Sequence, residues 1–180
     1  KLRYNYVSDP LTWRQTPLPN VTTNTPGPVQ TLSYDVKGRL NRTTTLTNNA
    51  FTRYIYGPNY VETFSSINST LDTANEGHKL TVFDGLGRII VNAGDHPNST
   101  GGFSAQLTLY DPMGRVQKQS NPTETSISIT GIPINPIQFE PLGDDALGNG
   151  GFGWKYTEQT YDWKGRPLVT TNPDGTSKTA

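Results

Sequence analysis

Apolar and polar residues alternate in short runs along most of this chain, as in Leu80-Thr81-Val82-Phe83 and Leu107-Thr108-Leu109-Tyr110. A period of two sends successive side chains to opposite faces, so each run predicts a half-buried β-strand. The sequence then breaks and resumes extended, as in Val116-Gln117-Lys118-Gln119. The pattern therefore predicts an all-β chain made of consecutive antiparallel hairpins.

The breaks share one wording. Four copies read aromatic, acid, two variable residues, glycine, arginine: Tyr34-Asp35-Val36-Lys37-Gly38-Arg39, Phe83-Asp84-Gly85-Leu86-Gly87-Arg88, Tyr110-Asp111-Pro112-Met113-Gly114-Arg115 and Tyr161-Asp162-Trp163-Lys164-Gly165-Arg166. Asp opening a type I turn accepts bonds from backbone N–H groups two residues on, Pro suits the next position, and Gly closes the turn at positive φ as a bulge. Asp111-Pro112-Met113-Gly114 meets all three demands. Gly38, Gly87, Gly114 and Gly165 are accordingly expected at positive φ. The arginine directly after the bulge is placed to lie beside the Asp carboxylate or over a Tyr face.

Such repetition means that each copy is a unit that buries its apolar face only by stacking on its neighbours. Degenerate copies extend the series. Tyr54-Ile55-Tyr56-Gly57-Pro58-Asn59 enters like a repeat strand and then loses the Asp and the Gly-Arg. Phe139-Glu140-Pro141-Leu142-Gly143-Asp144 keeps aromatic, acid, Pro and Gly but has Asp for Arg, and Tyr4-Asn5-Tyr6 precedes a longer turn, Val7 to Thr12. Aromatic anchors thus fall at 6, 34, 56, 83, 110, 139 and 161, predicting about seven hairpins in one array over residues 1–180. Their DxxG turns should line one edge of a continuous sheet, with other turns at Thr25-Pro26-Gly27-Pro28, Ala74-Asn75-Glu76-Gly77, Thr100-Gly101-Gly102 and Asn172-Pro173-Asp174-Gly175.

Residues 121–155 depart most from the period, with Pro at 122, 133, 136 and 141 and Gly at 143, 148, 150, 151 and 153. Proline at that density forbids a central strand. The segment reads as an insertion: a loop, an edge or a peg packed on the wall. The segment from Asp174 to Ala180 runs on in phase into Lys1-Leu2-Arg3-Tyr4, so the chain reads as a segment or repeating unit of a longer assembly whose terminal strands pair with other polypeptide.

Composition narrows the function classes. Lys and Arg equal Asp and Glu at 15 each, and the chain has no basic run, so the electrostatic footprint of nucleic-acid binding is missing. Hydrophobic residues make up 32%, which suits many short strands with one wet face, and none of the apolar runs reaches transmembrane length. Cysteine is absent, excluding disulfides and thiolate metal sites. Asn20, Asn41, Asn68 and Asn98 each open an N-x-Ser/Thr sequon, a number that this Asn- and Ser/Thr-rich composition delivers by chance.

The four motif copies, with the Asn172-Pro173-Asp174-Gly175-Thr176 turn, resemble the YD-repeat or Rhs (rearrangement hot spot) family over nearly the whole chain, and look most like its large bacterial members. That resemblance implies hairpins joined edge to edge into a curved sheet that spirals into a hollow shell, as in toxin-complex components, Rhs effectors and teneurins. It implies an extracellular, secreted or cell-surface location and a mechanical role, enclosing a polypeptide cargo in the parent protein or displaying a surface. Asp111-Pro112-Met113-Gly114 is superficially similar to part of the self-cleavage motif of Rhs effectors, but it sits within an ordinary repeat between Tyr110 and Arg115.

No catalytic, cofactor-binding or metal residues are expected. His78 and His96 lie in no metal-spaced or Ser/His/Asp pattern. Gly143 to Gly150 clusters oxygen ligands but lacks the EF-hand spacing and closing Glu, so it reads as a solvated loop, with Ca²⁺ as the lesser alternative. Trp13, Trp154 and Trp163 suit packing in a sheet or, less directly, stacking on carbohydrate. Two classes remain: a non-catalytic wall that encloses or scaffolds, and a filament or adhesin subunit assembling head to tail through its strands. The partners expected are adjacent repeats or further copies of the chain.

Overall fold

The computed structural model describes residues 2–4, 11–15, 27–67, 76–127, 129, 133–151 and 153–179. The Tyr6 anchor, most of the turn after it, the sequons at Asn20 and Asn68 and the loop residues Thr25, Pro26, Ala74 and Asn75 lie outside the described residues. The fold is all-β and antiparallel. Its strands are β1 (Leu2–Tyr4), β2 (Leu11–Gln15), β3 (Val29–Tyr34), β4 (Leu40–Thr45), β5 (Phe51–Tyr56), β6 (Tyr60–Ser66), β7 (Glu76–Phe83), β8 (Ile89–Asp95), β9 (Phe103–Tyr110), β10 (Val116–Ser120), β11 (Thr123–Thr125), β12 (Tyr156–Tyr161), β13 (Pro167–Thr171) and β14 (Ser177–Thr179). Hydrogen-bonded neighbours follow chain order, with β11 alone off the path and paired to β9. Tandem hairpins thus build the main path of the sheet.

Two compact units share these strands, Lys1–Ile55 with Glu62–His78 and Tyr56–Val61 with Lys79–Ala180. The first contains a stacked triplet on neighbouring strands. The Phe64 ring has the Arg53 guanidinium 3.8 Å from its centroid and the His78 imidazole 4.2 Å away and nearly parallel. Arg53 is paired with Glu76, and His78 Nε2 lies 2.9 Å from Glu62 Oε2. The guanidinium and the imidazole that flank the ring therefore each lie beside a carboxylate of their own.

The second unit holds the core. Register sets Val82 opposite Val91 and Val91 opposite Leu107, with Leu80, Ala93 and Ala105 forming the parallel row. All six are buried, whereas Asn92 between them is exposed. Alternation has become a two-sided sheet, with each fully buried Leu or Val contributing about 1.5–3 kcal/mol.

The insertion covers the apolar face. Ile134 and Phe139 are buried against those rows, with Ile127, Ile129, Trp154 and Tyr156 packed around them. Asn121 and Pro122 interrupt the edge, so that β10 pairs with the end of β9 near Tyr110 and β11 with its start at Phe103 to Ala105. Backbone and hydroxyl bonds tie the peg down: Leu142 N donates to Glu124 O, and Thr125 Oγ1 to Glu140 O.

One expectation fails here. Six hairpins form among the described residues, and Phe139 to Asp144 is not a seventh. Pro136–Gln138 and Gly143–Asp145 are 3-10 turns, and Pro141 makes only an isolated bridge to Thr125. Prolines on both sides of Phe139 remove the N–H donors a ladder needs. The Phe139 side chain is spent on the core instead.

Candidate assembly site: the turn ladder

All four Asp-x-x-Gly turns are built alike. The glycine N–H donates to the Asp carbonyl at 2.9–3.0 Å, and the Asp N–H to the Arg carbonyl at 2.8–2.9 Å. Gly38, Gly87, Gly114 and Gly165 have φ of 77, 79, 84 and 81°, and the strand register shifts beside each aromatic, which is the bulge the wording calls for.

Each carboxylate then collects four donors. In the Asp111 turn, Oδ1 accepts the backbone N–H of Met113 and of Arg115 at 2.9 Å, while Oδ2 accepts Arg115 Nε at 2.7 Å and its terminal nitrogen at 2.6 Å. Asp35 with Arg39, Asp84 with Arg88 and Asp162 with Arg166 repeat the geometry. The Arg backbone N–H is the main reason that the carboxyls of Asp35, Asp84 and Asp162 sit below their ordinary range, against a smaller opposing effect of burial. At Asp111 burial is the largest single influence and pushes upward, yet the bonds from Arg115 and Met113 together outweigh it. Both oxygens of each carboxylate are thus engaged within the turn itself.

The arginine does two things at once. Besides gripping its own Asp, Arg88 lies over the ring of Tyr110, 4.2 Å from the centroid, and Arg115 over Tyr161 at 4.5 Å. Both rings belong to the following copy. That copy answers with its hydroxyl: Tyr110 donates to Ile89 O at 2.9 Å and Tyr161 to Val116 O at 2.6 Å, in each case the residue after the arginine. Tyr34 makes the equivalent bond to Leu11 O. Arg115 also donates to the carbonyl of Asp162. The motif is therefore a relay between hairpins: aromatic backward, arginine forward, Asp clamping the arginine.

The relay breaks at the junction before Phe83. Asn59 stands where the arginine would, its carbonyl accepting from Phe83 N at 2.7 Å, and Phe83 lacks the hydroxyl. Asn59 turns to the insertion instead. Its Nδ2 donates to Ile134 O and its Oδ1 accepts from Ile134 N, both at 2.8 Å, while Nδ2 also reaches Phe83 O at 3.3 Å. A side-chain amide is reading a backbone as a strand would. Nothing local in the sequence points to Asn59 as a clamp, because its partner is 75 residues away.

Other candidates take plainer places. Among the three tryptophans, Trp154 packs on the core and donates to Phe139 O, Trp13 is half-buried, and Trp163 is 88% exposed beside Lys164. His96 is exposed, 4.0 Å from Glu124. Asp145 Oδ2 accepts from Glu124 N, and among the described residues there is no cluster of three or more His, Cys, Asp or Glu arranged to hold a metal. Among those residues no helix is long and apolar enough to cross a membrane.

No family model and no curated protein matches the chain. Among solved structures it is similar to the crystal structure of TcdB2-TccC3-TEV, at 20% identity and a TM-score of 0.40 over 85% of this chain. A second match, TcdB2-TccC3 without hypervariable C-terminal region, has the same identity and TM-score over 84% of this chain. The chain spans 8% of the length of each.

Proposed function

We propose that this chain is a non-catalytic wall: a tandem β-hairpin segment of YD/Rhs type that encloses or scaffolds polypeptide in an extracellular, secreted or cell-surface assembly. The observation that carries this reading is the relay. The repeated charged and aromatic groups of the Tyr110, Asp111, Arg115 and Tyr161 series are consumed in joining one hairpin to the next. Groups so engaged stiffen a surface, which supports a mechanical reading.

A filament or adhesin subunit assembling through its strands is the second reading, and the pairing of successive antiparallel strands in chain order is compatible with it. Cryo-electron microscopy of native material separates the two. Closed shells with polypeptide inside support the wall, open polymers of one repeating unit support the filament, and turnover of a substrate that an Asp111→Asn variant loses overturns both.

A further inference from the structure

The relay has a slot that the chain does not fill with arginine. At Gly114 a terminal nitrogen of Arg88 lies 3.0 Å from where a Cβ would stand, and at Gly165 that of Arg115 lies at 4.0 Å. Each guanidinium is thus held between the ring of an aromatic and the glycine that closes the same turn. At Gly87, as at Gly38, no described atom comes within 4 Å of that position. The preceding turn offers Asn59 instead of arginine, and a groove of about 740 Å³ opens there, lined by Tyr56, Tyr60, Phe83, Asp84 and Gly87.

We propose that this groove receives an arginine side chain carried by another polypeptide. The filled slots show what holds it: a ring face, which attracts a guanidinium through its quadrupole, and the carbonyl of the turn Asp, as Arg115 uses Asp162 O. Phe83 and the Asp84 carbonyl are the counterparts here. The Asp84 carboxylate is already taken by Arg88, as the Asp162 carboxylate is by Arg166, so the local charge matches that of the slot which accepts Arg115. Two further tyrosines line this groove, and its volume leaves room for the residues flanking the arginine. The slot does not depend on whether the array closes into a shell.

The test is titration of the isotopically labelled chain with the peptide acetyl-Thr-Arg-Thr-amide, its citrulline counterpart, which is neutral and of the same shape, and free L-arginine. The amides of Gly87 and Phe83 should shift saturably with the arginine peptide, at least tenfold more tightly than with citrulline. Gly114 and Gly165, whose slots are filled, should stay still. Phe83→Leu should weaken binding at least fivefold with the Ile134 amide still protected, and the citrulline comparison stands on the unaltered chain if that variant misfolds. Equal binding of the two peptides, equal shifts at all three glycines, or no shift up to the solubility limit overturns the slot. Free arginine binding as tightly as the peptide overturns a polypeptide source.

Discussion

Replacing Asn59 with Ala should release the insertion from the sheet, at a cost that the geometry bounds. Three bonds disappear: two at 2.8 Å to the backbone of Ile134 and one at 3.3 Å to Phe83 O. At about 0.5–1.5 kcal/mol net for each, the bonds alone set a floor near 1.5 and a ceiling near 4.5 kcal/mol. Ile134 is only 4% exposed, so its orphaned N–H and C=O add a desolvation cost that pushes upward. The groove beside Asn59 lets water reach part of the gap, which pushes back. The expected loss is about 2–3 kcal/mol, or roughly 5–10 °C in melting temperature for a chain of this size.

Because the peg can lift without the sheet unfolding, hydrogen exchange is the decisive assay. Protection of the Ile134 amide should fall about 30- to 150-fold. The core amides of Val82 and Val91, which belong to the sheet ladder, should lose less. Asn59→Asp should be worse than Ala. It keeps an acceptor for Ile134 N but turns a second oxygen toward two carbonyls. A variant within about 0.3 kcal/mol of the parent, the scatter of ordinary surface substitutions, with Ile134 equally protected, would refute the clamp.

Three further outcomes follow from the relay. Gly114→Ala should destabilise more than Gly87→Ala: both force a side chain into positive φ at about 1 kcal/mol, but only the first drives a Cβ onto Arg88, as urea midpoints would reveal. Tyr161→Phe should cost about 1 kcal/mol for its bond to Val116 O, and equal stability in thermal melts would remove the hydroxyl from the relay. The turn carboxyls have folded pKa values below their unfolded ones, so their contribution is complete above about pH 4 and declines as pH falls through the folded values. Asp111→Asn should therefore lie below the parent at pH 7, with the gap narrowing as pH falls below about 4, and a gap independent of pH would contradict the assignment.

The regular turns were legible because everything that makes them is local. Asp111, Pro112 and Gly114 specify a turn through bonds that span three or four residues, and the alternation of Leu80 to Phe83 specifies the buried face. The arginine was legible only by half. Its own Asp is four residues away, whereas the ring it covers depends on strand register, and Arg115 reaches Tyr161 across the whole insertion. Phe139 misled for the same reason. Its motif carried the right letters, but Pro136 and Pro141 deny the ladder its donors, and the residue is worth more in the core beside Ile134.

The broken junction shows why letters alone misled there and what the chain does with the break. A junction has two halves, an arginine from one copy and a hydroxylated ring from the next, and here both are changed: Asn59 for arginine, Phe83 for tyrosine. The changes fit each other. Arginine has donors only, so at position 59 it could bond Ile134 O but not Ile134 N, while a side-chain amide serves both. The carbonyl after Asn59, that of Tyr60, already accepts from Gly57 N in its own tight turn, so a hydroxyl on residue 83 would meet an engaged acceptor. The degenerate copy is therefore the receptor for the peg, and the peg in turn covers the apolar rows of Val82, Val91 and Leu107 that a lone sheet would leave wet. Regular copies build the sheet, and the irregular one supplies the fixed point on which the insertion closes over its apolar face.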